Sequence, residues 1–137
     1  MTRYLLDTDT CSYVLRKRPD SVRRKFNSVP MGSICISVVT YAELRYGAAR
    51  SSSPEVNHQA IDEFVEFLDV LEWSREAADR YGDLRRALEK KGSLIGAMDI
   101  LIAGHALATD AVLVTNNQKH FKVVPGLNTA NWVRRKA

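Results

Sequence analysis

The chain is poor in the residues that staple, ligate soft metals or cross membranes. It has two cysteines in 137 residues, Cys11 and Cys35. Both lie beside apolar neighbours without metal-ligand spacing, so they read as small buried hydrophobes of a reducing cytoplasm, not as a disulfide. The three histidines, His58, His105 and His120, have no zinc-like spacing, which argues against a zinc centre. The longest apolar stretch, around residues 100–108, is too short for a bilayer and follows an acid, so no membrane association is expected. Met1-Thr2-Arg3 followed by Leu5-Leu6-Asp7 does not read as a secretory signal. Repeats and low-complexity segments are lacking. The one linker-like segment, Ser51-Ser52-Ser53-Pro54, is too short to separate domains, so a single domain over 1–137 is expected.

What is present is ordinary in amount and uneven in placement. Hydrophobic content is 45% and charged content 26%, as in a soluble globular protein. The net charge of +4 is modest, but the basic residues cluster. Arg16, Lys17, Arg18, Arg23, Arg24 and Lys25 crowd one stretch. Arg85, Arg86, Lys90 and Lys91 form another, and Arg134, Arg135 and Lys136 a third. Any one run is explained by a solvated helix face. If Asp7, Asp9, Glu43 and Asp99 are matched by metal, the surface is nearer +8 than +4 and suits a polyanion.

Hydrophobic periodicity and punctuation predict alternating strands and helices. Residues 3–7 read as a short buried strand, followed by a helix capped by Asp9 or Thr10. Pro19 opens a second helix carrying Val22, Phe26 and Val29. Residues 33–37 read as a strand, 38–50 as a helix bearing Glu43, and 55–68 as a helix. Residues 70–73 are a third strand, and a helix capped by Ser74 runs to Lys91-Gly92. Asp99 opens the next helix. Residues 111–115 are a fourth strand, Asn116-Asn117 a turn, and 123–128 an edge strand. Such alternation implies a three-layer α/β/α fold, with helices on both faces of a mainly parallel sheet. Ligands in such folds bind beyond the carboxyl ends of the strands. Asp7, the Ser37 junction leading to Glu43, and Thr115-Asn116-Asn117 belong at that edge.

Asp7, Glu43 and Asp99 are therefore the feature to explain, because each ends, interrupts or opens a segment that reads as core. Buried carboxylates need compensation, and hard oxygen donors suit magnesium or manganese. Two carboxylate-held ions about 4 Å apart are an arrangement that hydrolyses phosphodiesters.

Four blocks carry a resemblance. Leu5-Leu6-Asp7-Thr8-Asp9, then residues 37–47 with Glu43, then Met98-Asp99-Ile100-Leu101-Ile102-Ala103, then Leu113-Val114-Thr115-Asn116-Asn117 resemble the motifs of PIN-domain nucleases. More narrowly, the chain resembles the VapC toxins of bacterial toxin–antitoxin pairs, in order and over essentially its whole length. The resemblance implies an RNase H-like fold and a Mg2+- or Mn2+-dependent endoribonuclease that cuts structured RNA such as tRNA anticodon loops. It also implies inhibition by a cognate VapB-type antitoxin. Asp7, Glu43 and Asp99 match the family's catalytic, metal-ligating acids, and Thr115 matches a threonine that orients them. Asn117 stands where many members have a fourth acid, and Asp9 where members usually have Asn; both are accessory. Arg16, Lys17, Arg85 and Arg86 are the expected RNA-backbone contacts. The helices after the first two strands, with the 55–68 helix, are expected to meet the antitoxin and a second copy in a homodimer.

Two other readings compete. Asp7-Thr8-Asp9-Thr10 imitates the nucleophile motif of haloacid dehalogenase-like phosphatases. That reading leaves Glu43 unexplained and finds no Gly-Asp block late in the chain. A non-catalytic, PIN-like RNA-binding module would explain the missing fourth acid, yet not the retention of three costly ones. His105 reads as a packed histidine. His120 reads as an exposed turn residue, with RNA contact as the alternative.

Overall fold

The computed structural model describes residues 1–134; Arg135 and Lys136 of the third basic cluster lie outside the described residues. Among the described residues, five strands form one sheet in the order β3-β2-β1-β4-β5: β1 (Tyr4–Leu6), β2 (Ile34–Ser37), β3 (Asp69–Leu71), β4 (Val112–Val114) and β5 (Thr129–Ala130). Every neighbouring pair is parallel. The helices among the described residues are α1 (Thr8–Arg16), α2 (Asp20–Ser28), α3 (Val38–Ala49), α4 (Pro54–Phe64), α5 (Arg75–Lys91), α6 (Ala97–Ala108) and the short α7 (Gln118–Phe121). A 3-10 turn, Val65–Phe67, extends α4 toward β3.

Side chains alternate across a strand, so neighbours along the chain enter opposite layers. Leu5, Cys35 and Leu113 point into a core with Leu84 and Leu88 of α5 and Ile100, Ile102, Ala103 and Ala106 of α6. Leu6, Ile34, Ile36 and Val114 point the other way, onto Cys11 of α1, Val22 of α2, Leu44 and Ala48 of α3, and Ile61 and Phe64 of α4. Two cores sharing one sheet give the expected three-layer architecture. Cys11 and Cys35 are free and buried, and burial pushes the Cys35 thiol up to about 11.

The helix ends follow local chemistry. Ser37 and Ser74 cap α3 and α5 by accepting from the Val39 and Ala77 amides, each at 3.1 Å. Gly92 closes α5 with a φ of +66°, a conformation that glycine adopts without strain. Gly104 serves closeness instead: an added Cβ would stand 3.3 Å from the Ala77 carbonyl oxygen and from the Tyr81 nitrogen. Its bare backbone lets α6 press against α5.

Three local expectations need correction. The cap of α1 is Asp7, whose carboxylate accepts from the Thr10 amide, so neither Asp9 nor Thr10 holds that position. Residues 123–128 are not a strand; β5 follows them at Thr129–Ala130. Val124 is buried in the α5–α6 core, with Val123 and Leu127 packed against it, so their apolarity serves packing and not pairing. The expected turn after β4 continues into α7.

Candidate active site

β1 ends with Leu6, and the next residue starts the cap of α1. The Asp7 amide donates to the Val114 carbonyl at 3.0 Å, carrying the β1–β4 pairing one residue past the strand. The Thr10 hydroxyl donates to the same carbonyl at 3.1 Å. Between these anchors Asp7 is 7% exposed, and its Oδ1 accepts from the Thr10 amide at 2.8 Å. Burial raises the Asp7 carboxyl above its ordinary range. Hydrogen bonds from Thr115 and Thr10 oppose that shift, and the charge of Asp9 adds to it.

Glu43 arrives from the other neighbour of β1. α3 starts at the carboxyl end of β2 and carries Glu43 into reach of Thr8, whose hydroxyl donates to Glu43 Oε1 at 2.7 Å. Asp99 comes from the opposite layer, in the first turn of α6, where free backbone amides favour an anion. Its Oδ2 lies 3.0 Å from His120 Nε2. Thr115, fully buried, accepts from the Asn117 amide at 3.0 Å while its hydroxyl serves Asp7. The His120 amide in turn donates to the Asn117 carbonyl at 3.0 Å. Hydrogen bonds thus tie Glu43 to Thr8, the chain neighbour of Asp7, and run from Thr115 through Asn117 and His120 to Asp99.

The accessory residues divide. Asn117 enters this run by its backbone, and its side chain makes no hydrogen bond within the described residues. Asn116 reaches sideways, donating to the Tyr13 hydroxyl at 3.3 Å. Asp9 is exposed and lines a groove of about 740 Å³ with Thr8, Ser12, Arg16, Glu43 and Tyr46. Arg16 also borders a second, basic groove with Tyr13, Lys17 and Arg18. Arg85 and Arg86 sit elsewhere, exposed on α5, 3.9 Å and 3.8 Å from Glu89.

Among the described residues, no Lys or Arg pairs with Asp7, Asp9, Glu43 or Asp99; the one basic neighbour of the set is His120. Equally, no three of His, Cys, Asp and Glu among them stand close enough to encircle an ion. That pattern fits a particular chemistry. Magnesium-type ions keep several waters and bind through one or two carboxylates plus substrate phosphate, whereas zinc takes a closed cage of protein donors.

Sequence reasoning misses two participants. In the sequence Thr8 is only a spacer between two acids, and its tie to Glu43 spans 35 positions. His120 is half-buried and bonded to Asp99 instead of being a free turn residue. His105 is as expected: buried in α6, with burial holding its imidazole pKa below the ordinary value.

Comparison with known proteins places this geometry. The PIN domain model matches residues 4–127. The chain is 42% identical over 132 residues to the tRNA(fMet)-specific endonuclease VapC of Shigella flexneri, covering 96% of this chain and 99% of that protein. It is 42% identical over 130 residues to ribonuclease VapC2 of Rickettsia felis, covering 94% and 97%. The fold superposes with a TM-score of 0.91, at 38% identity, on the structure of DNA-bound VapBC from Salmonella typhimurium, covering 97% of this chain and 100% of that one. The buried acid after β1, the acid on α3 and the acid opening α6 therefore stand on a PIN-domain scaffold, and the chain belongs to the VapC ribonucleases of that family.

Proposed function

We propose that this ribonuclease cleaves a phosphodiester of structured RNA with a Mg2+ or Mn2+ ion held by Asp7 and Asp99. The single observation that carries the reading is Asp7, a residue 7% exposed whose carboxylate has no Lys or Arg paired with it among the described residues. Such a charge is destabilising in isolation and compensated beside a divalent ion. What the ion supplies, when bound, is activation of a water molecule and neutralisation of charge building on the phosphate.

The protein's own residues do the rest. Hydrogen bonds from Thr115 and Thr10 favour the charged form of Asp7 and offset part of the cost of its burial. Asp99 stands in the first turn of α6, where the free backbone amides favour a negative charge. Glu43, fixed by Thr8, completes the acidic set from the α3 side, and Asp9 adds negative charge at the groove mouth. Arg16 and Lys17 are the nearer guides for the RNA backbone, and Arg85 and Arg86 extend the basic surface along α5.

The initiator tRNA is the proposed substrate, supported by the tRNA(fMet) specificity in the name of the Shigella flexneri relative. A VapB-type antitoxin is the proposed partner, supported by the VapBC complex to which the fold is similar. The test is cleavage of a total small-RNA pool by purified, antitoxin-free protein, against EDTA and Asp99→Asn controls. Discrete fragments that end at one tRNA and vanish in both controls are expected. Hydrolysis of small phosphoesters with intact RNA would favour the phosphatase reading; RNA binding without turnover would favour the non-catalytic module.

A further inference from the structure

The groove that holds Asp9 and Glu43 also carries an aromatic ring. Tyr46 follows Glu43 by three positions on α3, and residues three apart on a helix are neighbours. Among the large apolar side chains exposed in the described residues, Tyr46 is the one that lines this groove. The Arg50 guanidinium stands 5.6 Å from the ring centroid, within cation–π range. A cation covers one face of a ring, and at 67% exposure Tyr46 keeps the other open. Arg16 lines the same groove from α1. Neither Arg16 nor Arg50 pairs with an acid among the described residues.

Gly47 is a second, independent observation. It lines the groove beside Tyr46, and a Cβ added there would meet nothing within 4 Å. A glycine inside a helix is destabilising relative to alanine. Here neither close packing nor a positive φ requires one. Its effect is to clear the helix surface next to the ring for a group that comes close. Leu44, Ala48 and Ile61 also border the groove but are buried in the core beneath α3 and α4. The exposed lining is therefore aromatic and charged, which fits a nucleotide better than an apolar peptide.

We propose that Tyr46 is a stacking platform for an unpaired RNA base, that of the nucleotide beside the scissile phosphate, flanked by the Arg16 and Arg50 guanidiniums. The inference rests on the reading of Asp7, Glu43 and Asp99 as the cleaving group, since Tyr46 is placed by its distance along α3 from Glu43. Every base has a π-face, so the platform grips RNA of any sequence. A base stacked and paired within a helix cannot reach it. Tyr46 thereby selects the single-stranded loops of a structured RNA over its stems.

The test is the affinity of the full-length protein, in EDTA and at low salt, for a short oligoadenylate and for a ribose-phosphate chain of equal length without bases. Fluorescence anisotropy reads both. The wild type is expected to bind the oligoadenylate about tenfold or more tightly than the baseless chain. Tyr46→Leu is expected to bind the two equally, and Tyr46→Phe to keep the difference. Equal wild-type affinity for the two chains overturns the inference, leaves the acidic site standing and turns Tyr46 toward a protein partner. A base preference that survives Tyr46→Leu also overturns it. Folded wild-type protein that binds neither chain overturns the RNA reading of the groove, and this inference with it. The wild-type comparison decides the matter even where a variant folds poorly.

Discussion

The Thr8 hydroxyl donates to Glu43 Oε1 at 2.7 Å and so couples the residue after Asp7 to the second turn of α3. A hydrogen bond to a charged group contributes about 1.5–3 kcal/mol, less where water reaches it, as here. Thr8→Val should therefore lower the cleavage rate roughly tenfold with little change in melting temperature, and Thr8→Ser should retain most of the rate. Steady-state kinetics on one purified RNA checks this; a Thr8→Val enzyme of wild-type rate would deny Glu43 a role that depends on its position.

Asp7 carries a stability cost that the metal-free protein should reveal. Its carboxyl is raised above the ordinary value of 3.8, with burial as the largest cause. The folded state thus holds the proton more tightly than the unfolded chain. Its contribution to stability is fully present below about 3.8 and is lost as pH rises through the folded value. Asn cannot ionise and still caps a helix. In EDTA, the melting temperature of Asp7→Asn should match wild type near pH 4 and exceed it increasingly toward pH 7. A variant less stable than wild type at pH 7 would show that the buried charge is already compensated by the protein.

Gly104 and Gly82 give opposite predictions for one substitution. At Gly104 a Cβ meets α5 backbone at 3.3 Å, and backbone cannot rotate away. Gly104→Ala should destabilise by about 1 kcal/mol or more, even after the gain in helix propensity. Gly82, within α5, has nothing within 4 Å of a Cβ, so Gly82→Ala should stabilise by roughly 0.5–1 kcal/mol. Urea unfolding of the two variants tests both signs at once.

Arg16 should matter more to RNA than Arg85 or Arg86. It borders both the groove holding Asp9 and Glu43 and the basic groove beside it. Arg85 and Arg86 share Glu89 as a neighbour. Arg16→Ala should weaken RNA binding and reduce the slope of log affinity against log salt by about 1. The Arg85→Ala, Arg86→Ala double variant should change that slope by less. Equal slopes across all proteins would remove these residues from the RNA path.

Much of this arrangement is legible in the residues alone. The neighbours Leu5 and Leu6 have to face opposite layers, and acids at strand and helix ends have to collect at one sheet edge. What is not legible depends on contacts set by packing. Asp7 becomes the cap because β1 stops at Leu6, and no periodicity in a three-residue strand marks its end. Residues 123–128 look like a strand because β-strands and buried loops both need apolar residues, and Val124 is apolar for the second reason. The pairing of His120 with Asp99 spans 21 positions and depends on a four-residue helix that carries no sequence periodicity.

If Asp7 works on RNA through a divalent ion, cleavage needs both. The measurement is cleavage of purified initiator tRNA across a range of Mg2+ concentrations, for wild type and Asp7→Asn in parallel. A rate that rises from zero in EDTA to saturation is expected for wild type, and no cleavage by the folded variant at any concentration. Cleavage in EDTA, or a folded Asp7→Asn protein that cuts at the wild-type rate, would contradict it.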